Sequence, residues 1–78
     1  MKNTTYTLLD LINESARYRA GCVTGMTAEE ERDIWQAYCQ AFDAAAEVFG
    51  LDRLEEITES QMYKDAVEDM KQSILRFN

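Results

Sequence analysis

Polar and apolar positions along this chain repeat with a helical period, and three segments carry the pattern. In the first, Leu9, Ile12, Ala16 and Ala20 fall along one side, with Leu8 and Leu11 flanking them. The spacing predicts a helix over about 7–20, opened by Thr7 with Asp10 three residues on, or by Thr4 or Thr5 instead. Gly21 is expected to stop it in the left-handed conformation, leaving Arg17 and Arg19 in the last turn, where cations complement the helix dipole. Residues 21–26 then read as a loop, with Val23 and Met26 tucked under to cover one end of the core.

The second segment has the strongest pattern. Thr27-Ala28-Glu29-Glu30 has the form of a capping box, and Glu29, Glu30 and Glu31 suit the positive end of the helix that follows. That helix is expected over 28–49, stopping at Gly50. Glu29, Asp33, Gln36, Gln40, Asp43 and Glu47 form one narrow polar stripe. Ile34, Tyr38, Ala41, Ala45 and Val48 occupy one side of it, and Trp35, Cys39, Phe42, Ala46 and Phe49 the other. So wide an apolar arc predicts cover on two sides, and hence a long central helix packed against its neighbours or another copy of itself.

After Gly50, Leu51 reads as the hydrophobic contact that follows a helix stop. Asp52 is expected to cap a short helical turn near 53–57. Thr58 with Gln61 has the form of a second capping box, with Ile57 and Met62 placed as a hydrophobic staple. The last helix, about 59–77, carries the stripe Met62, Tyr63, Ala66, Val67, Met70, Ile74 and Phe77, with Lys71 and Arg76 near its end. Proline is absent, the three glycines stand at 21, 25 and 50, and no segment reads as a strand. The expected fold is all-α: a compact three-helix arrangement forming a single domain over residues 1–78, its short connections favouring antiparallel neighbours.

Charge narrows the functions this fold can serve. Eight basic residues against fifteen acidic ones give −7, distributed as +1 over residues 1–27, −5 over 28–49 and −3 over 50–78. The longest helix is therefore the most acidic segment, the wrong sign for a nucleic-acid reader, so direct binding to DNA or RNA is not expected. The same charge disfavours anionic lipid, and no run approaches the ~18 apolar residues of a membrane span. With no signal-peptide pattern at residue 1 either, a cytoplasmic protein is expected.

Candidate chemistry changes little. There is no histidine, so general acid–base work would fall to carboxylates, a lysine or a tyrosine, and the carboxylates lie where helix starts and solvated faces explain them. Cys39 has no base to activate it as a nucleophile. Cys22 and Cys39 lack metal-ligand spacing, and Asp52, Glu55, Glu56 and Glu59 lack the alternation and glycine of a calcium loop. No enzyme activity, cofactor or metal is expected. The cysteines read as reduced thiols of which one or both are buried, a disulfide being the alternative.

What remains is binding. An acidic surface suits a protein partner with a basic surface, through Glu29, Glu30, Glu31 and Asp33 or through Asp52, Glu55, Glu56 and Glu59. The row Trp35, Phe42, Phe49 reads either as core or as an alternative interface, including that of a homodimer. Ala44, Ala45 and Ala46 permit close helix approach in either case. In size, charge and lack of catalytic motifs the chain is similar to the small phage and mobile-element proteins that block host nucleases or CRISPR complexes. That similarity implies an inhibitor occupying a nucleic-acid-binding surface. The alternatives are a self-associating homodimeric regulatory or structural module, or a small adaptor subunit.

Overall fold

Thr27 does what its local sequence demands. Its hydroxyl accepts from the Glu30 N–H at 3.1 Å, and its own N–H donates to the Glu30 carboxylate at 3.4 Å, so both arms of the capping box are made. In the computed structural model, which describes residues 4–77 and their side chains from residue 6, this cap opens the longest of four helices. They are α1 (Thr4–Thr24), α2 (Ala28–Phe49), α3 (Leu51–Glu59) and α4 (Gln61–Phe77). The described residues contain no strand. The all-α expectation holds, and the short helical turn expected near 53–57 is a full nine-residue helix, α3.

The first helix is longer than its pattern at both ends. It has begun by Thr4, so Thr7 lies inside it, and it passes through Gly21 to Thr24. Gly21 stays helical, and the Met26 side chain lies where a Cβ would stand, its Cγ only 2.7 Å from that position. The left-handed residue is Gly25, at φ 94°, whose N–H donates to the Gly21 carbonyl at 2.7 Å. Arg17 and Arg19 are therefore not in the last turn. Met26 does tuck under, but Val23 stands exposed on the helix, and only residues 25–27 link α1 to α2.

Gly50 stops α2 as expected and at once begins α3, at φ 85°. Its N–H donates to the Ala46 carbonyl and its own carbonyl accepts from the Leu54 N–H. Asp52 is thus in the first turn of a nine-residue helix rather than its cap, and Leu51 is exposed. The break after α3 falls at Ser60 and not at Thr58. Thr58 is still helical and its hydroxyl donates to the Glu55 carbonyl, whereas the Ser60 hydroxyl accepts from the Tyr63 N–H at 3.2 Å. The shift turns Gln61 into the first residue of α4, bonded to Asp65, and leaves Met62 85% exposed, so there is no Ile57–Met62 staple.

Two clusters form the core, and α1 belongs to both. Leu11, Ala45 and Leu54, all fully buried, join α1, α2 and α3, with Tyr38, Ala41, Phe42, Ala46 and Phe49 packed around them. Ile12, Ala16 and Val67 join α1 to α4, and Leu8, Ala66, Met70 and Ile74 pack against them. Tyr63 touches both clusters. The buried stripe of α1 is therefore Leu8–Leu11/Ile12–Ala16–Ala20, while Leu9, expected on the core side, is 48% exposed. Phe77, expected on the core stripe of α4, is exposed at its end.

The middle of the fold is α1, not the long helix. Both α2 and α4 pack on α1 and neither packs on the other. Ser15 meets Tyr63 at the start of α4, while Gly21 and Thr24 share a recess with Ile74 near its end, so α1 and α4 run in the same general sense. The nine residues of α3 make this possible by carrying the chain across from the end of α2 to the start of α1's other flank. Consequently the apolar arc of α2 is covered on one side only, and Ala45 is its one fully buried residue. No described helix is long and apolar enough to cross a membrane.

Candidate functional site: an aromatic groove between two acidic ends

Because α2 and α4 pack on α1 and not on each other, a groove of about 290 Å³ opens between them. Its floor is the exposed side of α1, where Ser15, Tyr18 and Arg19 follow one another at helical spacing. One wall is α2, with Trp35, Tyr38 and Phe42; Tyr63 of α4 and Thr58 of α3 complete the lining. The aromatic rings touch in sequence. Tyr18 meets Trp35 with centroids 5.6 Å apart and planes at 59°, Trp35 stacks on Tyr38 at 5.4 Å and 26°, and Tyr38 meets Phe42 at 6.2 Å and 33°. Such offset and tilted pairs are the favoured arrangements of aromatic quadrupoles, each worth about 0.5–1.5 kcal/mol beyond area burial. Trp35 nevertheless remains 52% exposed.

Two phenols here are displaced from ordinary behaviour. Burial pushes the Tyr63 hydroxyl above its usual pKa, against the opposite pull of its 2.8 Å hydrogen bond with Ser15. Tyr18 is raised first by the neighbouring Cys22 thiol and then by the charge of Glu31. Arg19 is the lining's single charged side chain. It forms no ion pair among the described residues, where Arg17 pairs with Glu14, Arg53 with Glu56 and Lys71 with Glu68.

The acidic candidates fall into two separate places. Glu29, Glu30, Glu31 and Asp33 occupy the first turns of α2; Asp52, Glu55, Glu56 and Glu59 lie on α3; all eight are exposed. They stand at opposite ends of α2, whose 22 residues span roughly 33 Å at ~1.5 Å each, so they form two ends and not one face. Glu30 is committed to the cap of Thr27 and Glu56 to Arg53 at 3.4 Å. The row Trp35–Phe42–Phe49 divides as well. Phe42 and Phe49 pack against the Leu11–Ala45–Leu54 cluster, and Trp35 alone is open to solvent.

The groove gathers residues that the sequence pattern keeps apart. The sequence pattern puts Tyr38 on the opposite side of α2 from Trp35, yet the two stack, as residues three apart on a helix can. Ser15 and Tyr63, 48 residues apart, carry no mark that pairs them. Both cysteines are free; Cys22 is exposed and Cys39 half-buried, so neither is the buried thiol that the sequence predicts. No group of three or more His, Cys, Asp or Glu suited to a metal comes together among the described residues. Comparison with protein-family models, with curated proteins and with solved structures gives no significant match for this chain.

Proposed function

We propose that this protein is a non-enzymatic binding module whose partner is a protein with a basic surface. The observation that carries this reading is Trp35, a half-exposed indole flanked by the rings of Tyr18 and Tyr38 and standing one turn from the carboxylate-rich start of α2. Rigid aromatic anchors supply contact area at low entropic cost and dominate interface energetics, while neighbouring charges steer the encounter. Glu31 lies four residues before Trp35 on the same helix face, so a cationic residue of the partner seated near the indole meets a carboxylate too. In its finer form the module is an inhibitor, of the kind phages and mobile elements carry, that occupies the nucleic-acid-binding surface of a nuclease or CRISPR complex in the cytoplasm. The support for that form is the charge of −7 and its concentration on exposed helix faces.

The test is kinetic. Once a partner is recovered from cell extract, its association should slow with added salt and with Glu31→Lys, and its dissociation should speed in Trp35→Ala. Binding indifferent to salt and to both substitutions overturns the proposal. A second reading, self-association, draws on different residues: Met62 and Phe77 stand exposed at the two ends of α4, and Leu9 on α1. A concentration-dependent mass in sedimentation, abolished by Met62→Lys or Phe77→Lys, distinguishes it.

A further inference from the structure

The groove presents hydrogen-bond donors that no acceptor of the described residues occupies. Arg19 offers five N–H groups and pairs with no carboxylate among the described residues. Glu68 feels its charge but is held instead by Gln72 at 3.0 Å and Lys71 at 3.1 Å. Ser15 and Tyr63 together hold two hydroxyl protons, and only one can lie in the 2.8 Å bond between them. The other has no acceptor among the described residues. No carboxylate lines the groove, in a chain where acids outnumber bases fifteen to eight. The chemistry that complements this exposed guanidinium and hydroxyl pair is an anionic acceptor.

The rest of the lining describes the body that should carry it. Trp35, Tyr38 and Phe42 present a run of touching rings, which favours a flat apolar group. A space of about 290 Å³ lies at the lower limit of small-molecule sites, ~300 Å³, and is too small for a folded element of another protein. We infer that the groove binds a small aromatic carboxylate, its carboxylate on Arg19 beside the Ser15–Tyr63 pair and its ring against Trp35 and Tyr38. The net charge of −7 opposes an approaching anion at long range, but that repulsion is screened over about 8 Å at physiological ionic strength, whereas the contact with Arg19 is direct. The site shares Trp35 with the protein-binding reading, but titration with a small ligand alone tests it without any partner, so the two fail separately.

Trp35 is the chain's only tryptophan, so its emission reports on the groove without a label. Titration of the whole chain with phenylacetate, excited where only indole absorbs, should give a saturable change. Phenylacetamide, alike in shape but uncharged, and acetate, which lacks the ring, should each bind at least about tenfold more weakly, as expected for losing a charge-assisted hydrogen bond or the ring contact. Arg19→Gln should weaken phenylacetate by a similar factor and leave phenylacetamide unchanged. Equal binding of acid and amide, or no saturable change, overturns the proposal on the unmodified protein, whatever the variant does. Equal binding of acetate overturns the aromatic half of it.

Discussion

Leu51 and Leu54 lie one turn apart on α3 and differ in almost nothing but burial, which makes them a direct test of how the fold is held. Leu54 is fully buried between Leu11 and Ala45, while Leu51 is 66% exposed. Replacing Leu54 by alanine removes a core side chain and leaves a cavity, at a cost of about 2–5 kcal/mol. Leu51→Ala makes the same change in helix propensity but should stay within about 0.5 kcal/mol, as surface substitutions do. A chain of 78 residues has a total stability of about 4–12 kcal/mol, so the first loss is a large fraction of the whole. It should be greater in effect than a single contact suggests, because a nine-residue helix is too short to persist without packing, and α3 is what carries α4 to α1. Thermal unfolding followed by far-ultraviolet circular dichroism should show Leu54→Ala melting on the order of 10–30 °C lower, and Leu51→Ala nearly unchanged. Equal melting of the two variants would refute the placement of Leu54 in the core and the bridging role of α3.

Other expectations are more local. Ser60→Ala should destabilise by about 0.5–2 kcal/mol as a lost cap and Thr58→Ala by less, which chemical denaturation can rank; the reverse order would put the start of α4 at Thr58. Gly25→Ala forces a side chain into φ 94° and should cost about 1–2 kcal/mol in the same assay. Burial raises the Tyr63 pKa in the folded state above its ordinary 10.0, so the folded protein holds that proton more tightly than the unfolded chain. Its contribution is complete below about pH 10 and is lost as pH rises through the folded value; Tyr63→Phe should flatten this alkaline loss in unfolding measurements across that range, and an unchanged slope would show that Tyr63 is not its source.

The sequence by itself determined those features whose causes lie within a few residues. The Thr27–Glu30 box, the stop at Gly50, the exposed polar stripe of α2 and the core stripe from Tyr63 to Ile74 all depend on local hydrogen bonds or on helical periodicity, and both can be read from a short window. Where two neighbours offered equivalent local signals, only tertiary structure chose between them. Gly21 and Gly25 can each end a helix, and the Met26 side chain packed over Gly21 is consistent with the end falling at Gly25. Thr58 and Ser60 can each cap one, and in the fold α3 runs past the first, with the Ser60 hydroxyl accepting from the Tyr63 N–H. Leu9 and Leu11 are equally apolar, but a rotation of α1 by about 100° per residue decides which is buried, and that is set by what α2 and α4 present to it. The groove is the clearest case. Its lining comes from all four helices, and it exists because α4 docks on α1 and not on α2. That choice rests on the summed packing of residues up to 48 positions apart, for which no local window carries a signal.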